Sequence, residues 1–116
     1  MFLNNFLNGK PAFLSMSMPE AEKELAKDKS VYLIDVRSKE EYRDGHIPGS
    51  LHLPLDLISN IGRLVPEKDA RLFVYCLSGG RSRLACTQLA RLGYSDVTNI
   101  GGIMQWKGKI ERKMGA

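Results

Sequence analysis

The stretch VYCLSGGRS, Val74 to Ser82, is where the pattern of the chain changes. Before it runs the apolar segment LFVYC, residues 72–76, which reads as a strand buried on both faces. After it, SRLACTQLARLG, residues 82–93, has helical spacing, with Leu84, Ala85, Leu89 and Leu92 on one side and Gly93 as its stop. Between the two stand a cysteine and a pair of glycines. The reading is strand, tight loop, helix, with Cys76 at the carboxyl end of the strand.

The same alternation repeats outward. VYLIDV (31–36) is a second buried strand and DVTNI (96–100) a third, while AFLSM (12–16) is a weaker one. SMPEAEKELAK (17–27) predicts a helix capped by Ser17 with Pro19 in its first turn. SKEEYRDG (38–45) predicts a short capped helix, HIPGSLHLPL (46–55) a turn and a short strand, and Asp56 to Leu64 a further helix. GGIMQW (101–106) predicts a turn into a last helix. Strands alternating with helices imply an α/β domain on a mostly parallel sheet. Such sheets hold ligands at the carboxyl ends of their strands, where Cys76 sits. Phe2, Leu3, Phe6 and Leu7 have helical spacing, so residues 1–12 are read as an N-terminal arm and 13–116 as a single domain.

The 116 residues suit one compact domain, and 43% hydrophobic with 26% charged residues is an ordinary globular composition. The net charge of +4 is scattered among acids, which fits a small anionic substrate and argues against a nucleic-acid surface. No segment has the roughly 18 apolar residues of a membrane span. The N-terminus does not read as a signal peptide. The two cysteines, Cys76 and Cys86, form neither a zinc array nor a disulfide framework. A soluble, cytoplasmic protein without a metal is expected.

The loop from Cys76 to Ser82 has its own chemistry. Gly79 and Gly80 allow left-handed backbone and close approach to a ligand. A loop of this kind turns N–H groups inward as an anion nest, and the helix behind it adds its positive end. A thiol held there loses its proton more readily, from about 8.5 to between roughly 3.5 and 7.5. Cys76 then reads as a nucleophile. The plain alternative is a small buried residue ending a strand, with glycines that only make the turn.

CLSGGRS resembles the active loop of the rhodanese family, C-x-x-G-x-R-[ST]. LIDVRSKEEYRDGHIPGSLHLP resembles that family's D-V-R, E-[YF], G-H-I-P-G-[AS] and N-[IL]-P run. LARLGYSDVTNIGGIMQW resembles its closing stretch. The likeness spans about Phe13 to Lys109. It implies a rhodanese-like α/β fold, with a central, mostly parallel five-stranded sheet and helices on both faces. It also implies sulfur transfer through a persulfide on Cys76, with Leu77, Ser78, Gly79, Gly80, Arg81 and Ser82 as the substrate-binding loop. Thiosulfate or a similar donor would give up its sulfane sulfur to Cys76, and cyanide, a thiol or an acceptor protein would remove it. No cofactor is implied. Asp35 and Arg37 would border the pocket from behind, with Asp35 pairing with Arg81 to brace the loop.

Two positions depart from the family pattern. Leu77 stands where many thiosulfate enzymes carry a basic side chain, and His52 stands where Asn is usual. Leu77 and the apolar arm raise a second reading, a persulfide carrier or regulatory binding module for a protein partner. A phosphatase is third, because the Cys-to-Arg loop is one residue shorter than the C-x5-R loop of the related phosphatases. His46 and His52 read as turn or packing residues, and Glu41 and Arg43 as a charged helix face or equally as substrate contacts. Cys86 reads as a core residue, with a resolving thiol as its rival. Trp106 is expected beneath the last turn, away from the pocket.

Overall fold

The computed structural model describes residues 6–7 and 10–112 of the chain. Five strands form one sheet in the order β3 (Leu14–Ser15), β7 (Asp96–Gly102), β6 (Arg71–Cys76), β4 (Tyr32–Asp35), β5 (Leu51–His52), and every neighbouring pair is parallel. The longest apolar run of the sequence takes the central place, as a strand covered on both faces requires. Side chains alternate along it. Leu72, Val74 and Cys76 enter one core layer, with Ile34, Ala85, Cys86 and Leu89. Phe73 and Tyr75 enter the other, with Met18, Ala21, Leu33 and Ile100. Ile34, Leu72, Phe73 and Val74 are fully buried, each contributing roughly 1.5–3 kcal/mol of transfer free energy.

Three α-helices cover the sheet. α1 (Met18–Lys27) starts at Ser17, whose hydroxyl accepts the Glu20 N–H, with Pro19 in its first turn. α2 (Lys39–Asp44) has a complete capping box between Ser38 and Glu41. α3 (Gly80–Arg91) follows β6 after the short loop of residues 77–79. α1 packs on the Phe73 face and α3 on the Cys76 face.

Three expectations need correction. Residues 55–63 are a 3-10 helix (Leu55–Arg63), not an α-helix. The segment has no side-chain cap, and Ser59, Asn60 and Gly62 are poor helix formers. The closing helix is one 3-10 turn, Ile103–Gln105. The core stripe of α3 is Ser82, Ala85, Cys86, Leu89 and Ala90, whereas Leu84 is 58% exposed. Leu84 falls one position outside the i, i+3, i+4, i+7 pattern set by Ser82.

In the N-terminal arm, β1 (Phe6–Leu7) pairs antiparallel with β2 (Lys10–Pro11) rather than forming a helix. The sequence between the two strands is Asn8-Gly9, a dipeptide strongly favoured in hairpin turns. The expectation for Phe2 and Leu3 lies outside the described residues. No described helix is long and apolar enough to cross a membrane.

Candidate active site

β6 ends at Cys76, and the chain turns at once into α3. The turn depends on Gly79, which has φ +113°, a left-handed conformation that favours glycine. It also depends on β7. A Cβ at Gly102 would lie 2.0 Å from the carbonyl oxygen of Leu77, so only glycine lets the loop settle on that strand. The Met104 N–H then donates to the same carbonyl at 3.3 Å.

The fold around the Cys76 sulfur explains the thiol's character. The Gly79 N–H points at Sγ from 3.0 Å, and the Ser82 hydroxyl lies 3.5 Å away. Burial pushes the Cys76 thiol up. The Ser82 hydroxyl, then the backbone N–H groups of Ser82, Gly79 and Ser78, pull it down further, and the net direction is down. Cys76 is 1% exposed, so the loop encloses the sulfur. Leu77 is 41% exposed at the mouth.

Arg81 does not meet Asp35. Its guanidinium forms a two-point pair with Glu41, Nη1 to Oε1 at 2.7 Å and Nη2 to Oε2 at 3.0 Å. Glu41 is the closing residue of the α2 capping box, and its Oε1 also accepts the Ser38 N–H at 3.0 Å. One carboxylate therefore fixes both the start of α2 and the start of α3. Arg81 holds the Glu41 carboxyl down at about 2, against the opposing effect of burial. Asp35 is engaged by Arg37 instead. Its carboxylate accepts the Arg37 backbone N–H at 2.9 Å and Nη2 at 2.8 Å, with Nε in contact with both oxygens. Asp35 and Arg37 are both buried. Arg37 Nη2 also donates to the Gly45 carbonyl at 2.6 Å, at the end of α2.

Glu41→Gln is expected to cost about 1–2 kcal/mol at pH 7, because the pair is partly exposed and screened. Glu41 has a lowered value in the folded state, so its contribution is complete above its ordinary value of 4.5 and is lost as pH falls toward 2. Urea unfolding at pH 7 and pH 3 should show the gap between wild type and variant narrowing at the lower pH.

Of the loop residues 77–82, Ser78, Gly79 and Ser82 lie at the Cys76 sulfur, while Leu77 is exposed and Arg81 is held by Glu41. Glu41, read from the sequence as part of a charged helix face, closes the α2 capping box and pairs with Arg81, 40 positions away. Asn99 was missed. Its side chain contacts Ser82, Gly79 and Gly101, and no local spacing signals this. Cys86 is fully buried, and burial pushes its thiol well up, which fits a core residue rather than a resolving thiol. The two histidine rings, His46 and His52, sandwich the Tyr42 ring at centroid distances of 3.7 and 4.5 Å, as packing residues. The Trp106 N–H donates to the Lys109 carbonyl, and its ring packs on the Phe73 layer. Among the described residues no cluster of metal-ligating side chains occurs.

The Rhodanese-like domain family matches residues 17–109. A sulfurtransferase of Allochromatium vinosum is 42% identical over 83 residues, covering 71% of this chain and 77% of its own length. The thiosulfate sulfurtransferase PspE of Escherichia coli is 38% identical over 71 residues, covering 60% of this chain and 68% of its own. Another, longer relative is matched over only 23% of its length. Among solved structures, a rhodanese with anions from E. coli superposes with a TM-score of 0.68 at 32% identity, over 72% of this chain and 99% of that one. The strand-loop-helix around Cys76, the parallel sheet beneath it and these likenesses agree, and the chain belongs to the rhodanese-like domain family.

Proposed function

We propose that the protein is a sulfurtransferase that carries sulfane sulfur as a persulfide on Cys76. The observation that carries this reading is the set of backbone N–H groups of Ser78, Gly79 and Ser82 turned toward Sγ, with the Gly79 N–H at 3.0 Å. These groups favour the thiolate, and the same inward N–H groups suit an anionic donor and the charged outer sulfur of a persulfide. The thiolate attacks the outer sulfur of thiosulfate. A Cys76–sulfur bond forms, the sulfur–sulfur bond of thiosulfate breaks, and its electron pair leaves with sulfite. Cyanide or a thiolate then attacks the outer sulfur of the persulfide and Cys76 leaves as thiolate, a two-step covalent cycle that needs no cofactor.

The reactive unit is residues 13–116, and two buried free cysteines suit a reducing cytoplasm. The thiosulfate activity named in the E. coli relative supports that donor. The apolar, exposed Leu77, with Met104 67% exposed beside it, favours a second reading, a carrier that passes sulfur to a protein thiol. Both readings start with the persulfide. Incubation with thiosulfate should add one sulfur atom to the intact mass, and tryptic peptide 72–81 should carry it. No gain with thiosulfate or any other sulfane donor, together with hydrolysis of an aryl phosphate, would reject both. Cyanide turnover separates enzyme from carrier.

A further inference from the structure

We propose that Asn99 is a positioning residue for Cys76: by accepting the Ser82 hydroxyl proton it turns the Ser82 lone pairs toward the sulfur and governs when that hydroxyl donates to it. The inference rests on the reading of Cys76 as the sulfur-accepting thiolate. Asn99 lies on β7 opposite Val74, just before the register of β6 and β7 shifts. The shift leaves Ile100 unpaired and in the opposite core layer, while the Asn99 side chain reaches α3.

The orientation of the amide follows from its partners. The Gly101 backbone N–H lies 3.0 Å from Oδ1, and only an oxygen can accept from it. Nδ2 then faces the Gly79 carbonyl at 3.5 Å. Because Oδ1 cannot donate, the 2.7 Å contact between it and Ser82 Oγ requires the hydroxyl to be the donor. Ser82 has one proton and three acceptors within reach: Asn99 Oδ1, the Gly79 carbonyl at 3.0 Å and Cys76 Sγ at 3.5 Å. With the proton on the Asn99 contact, Ser82 offers Sγ only lone pairs and accepts the S–H of the neutral thiol. When Cys76 ionises, the same lone pairs oppose its charge, and the hydroxyl must leave Asn99 to serve the sulfur. Asn99 therefore favours the resting thiol, and the turn of one hydroxyl accompanies its activation. Ser82 is fully buried, so bulk solvent does not compete for its hydroxyl.

The native charged and titratable groups about Cys76 are kept in every variant. They are Arg81, held by Glu41 of α2; Cys86 behind it on α3; and Asp35 of β4, held by Arg37. The measurement is the pH midpoint of thiolate ultraviolet absorbance, taken on the full chain as the difference from Cys76→Ser. In Asn99→Ala the hydroxyl keeps only the neutral Gly79 carbonyl as a rival to the anionic sulfur, and a charged acceptor is preferred. The midpoint should fall by about one unit, a tenfold rise in thiolate below it. In Asn99→Asp, an isosteric change that keeps the acceptor and adds an anion, it should rise. In a Ser82→Ala background, Asn99→Ala should move it by less than about a third of a unit, roughly twofold. Shifts of the same sign in the two Asn99 variants, no shift, or an equal fall without Ser82 would overturn the proposal. A merely structural role would move loop stability but not produce opposite midpoints. The absorbance is read with no sulfur donor present, so failure to take up sulfur counts against the proposed function and not against this role.

Discussion

Cys76→Ser is expected to abolish sulfur uptake and turnover while leaving the domain folded. The chemistry requires a sulfur nucleophile whose anion is populated near neutral pH, and a hydroxyl at the same place stays protonated and cannot form a persulfide. Cys86 cannot substitute, since it is buried among core residues and its thiol is pushed up. The packing change is small. Serine replaces the sulfur by a smaller oxygen at a site that already presents the Gly79 and Ser82 N–H groups, with the Ser82 oxygen able to accept its proton. We expect a stability change within about 1 kcal/mol at neutral pH, because no donor is left unpaired. The difference should grow in alkaline solution. The Cys76 thiol is lowered in the folded state, so its ionisation adds stability that is complete above its ordinary value of 9.0 and is lost as pH falls through the folded value. The serine variant lacks that increment. Intact mass after thiosulfate, cyanide turnover, and urea unfolding at two pH values check the three parts. Full uptake by the variant would end the assignment of Cys76.

How much of this was legible beforehand depends on the distance over which each feature is encoded. The sheet and the reactive loop are local. The change from a buried-strand pattern to a helical one takes place within the seven residues from Cys76 to Ser82. The 3-10 character of residues 55–63 was not legible, because apolar spacing alone does not separate a loose 3-10 winding from an α-helix. The brace was misassigned for a different reason. Asp35 and Glu41 are two of several carboxylates that precede Arg81, and nothing in the chain says which one reaches it. The tight exit from β4 decides the matter. It lets both the backbone N–H and the guanidinium of Arg37 close on the carboxylate two residues earlier, so Asp35 is already occupied. Glu41 remains, fixed by its capping box with its carboxylate toward α3. Asn99 needed still more, since its place opposite the loop follows from a register shift between two strands.

That rearranged brace makes Asp35 the place where a substitution should harm the fold most. Among the described residues, Asp35→Ala leaves the Arg37 guanidinium the Gly45 carbonyl at 2.6 Å and the face of Tyr75, 5.7 Å from the ring centre, as its near contacts. Arg37 is 5% exposed, so water does not replace the missing carboxylate. A buried charge that loses its partner costs about 3–5 kcal/mol. That is a large share of the 5–15 kcal/mol typical of a domain, and about 12–20 °C in Tm at this size. The effect should not stop at stability. Arg37 ties Asp35 to the end of α2, and the same helix holds Arg81 through Glu41. Loosening the first tie should loosen the second, so sulfur transfer should fall at temperatures where the variant is still folded. Asp35→Asn keeps one acceptor and should lose less. The double change Asp35→Ala with Arg37→Met removes the orphaned charge and should recover much of the stability while leaving α2 untied from β4. If thermal unfolding shows the double variant no better than the single one, the loss comes from packing at Asp35 and not from the stranded charge. If the double variant regains stability but not turnover, the link from β4 through α2 to the loop is functional as well as structural.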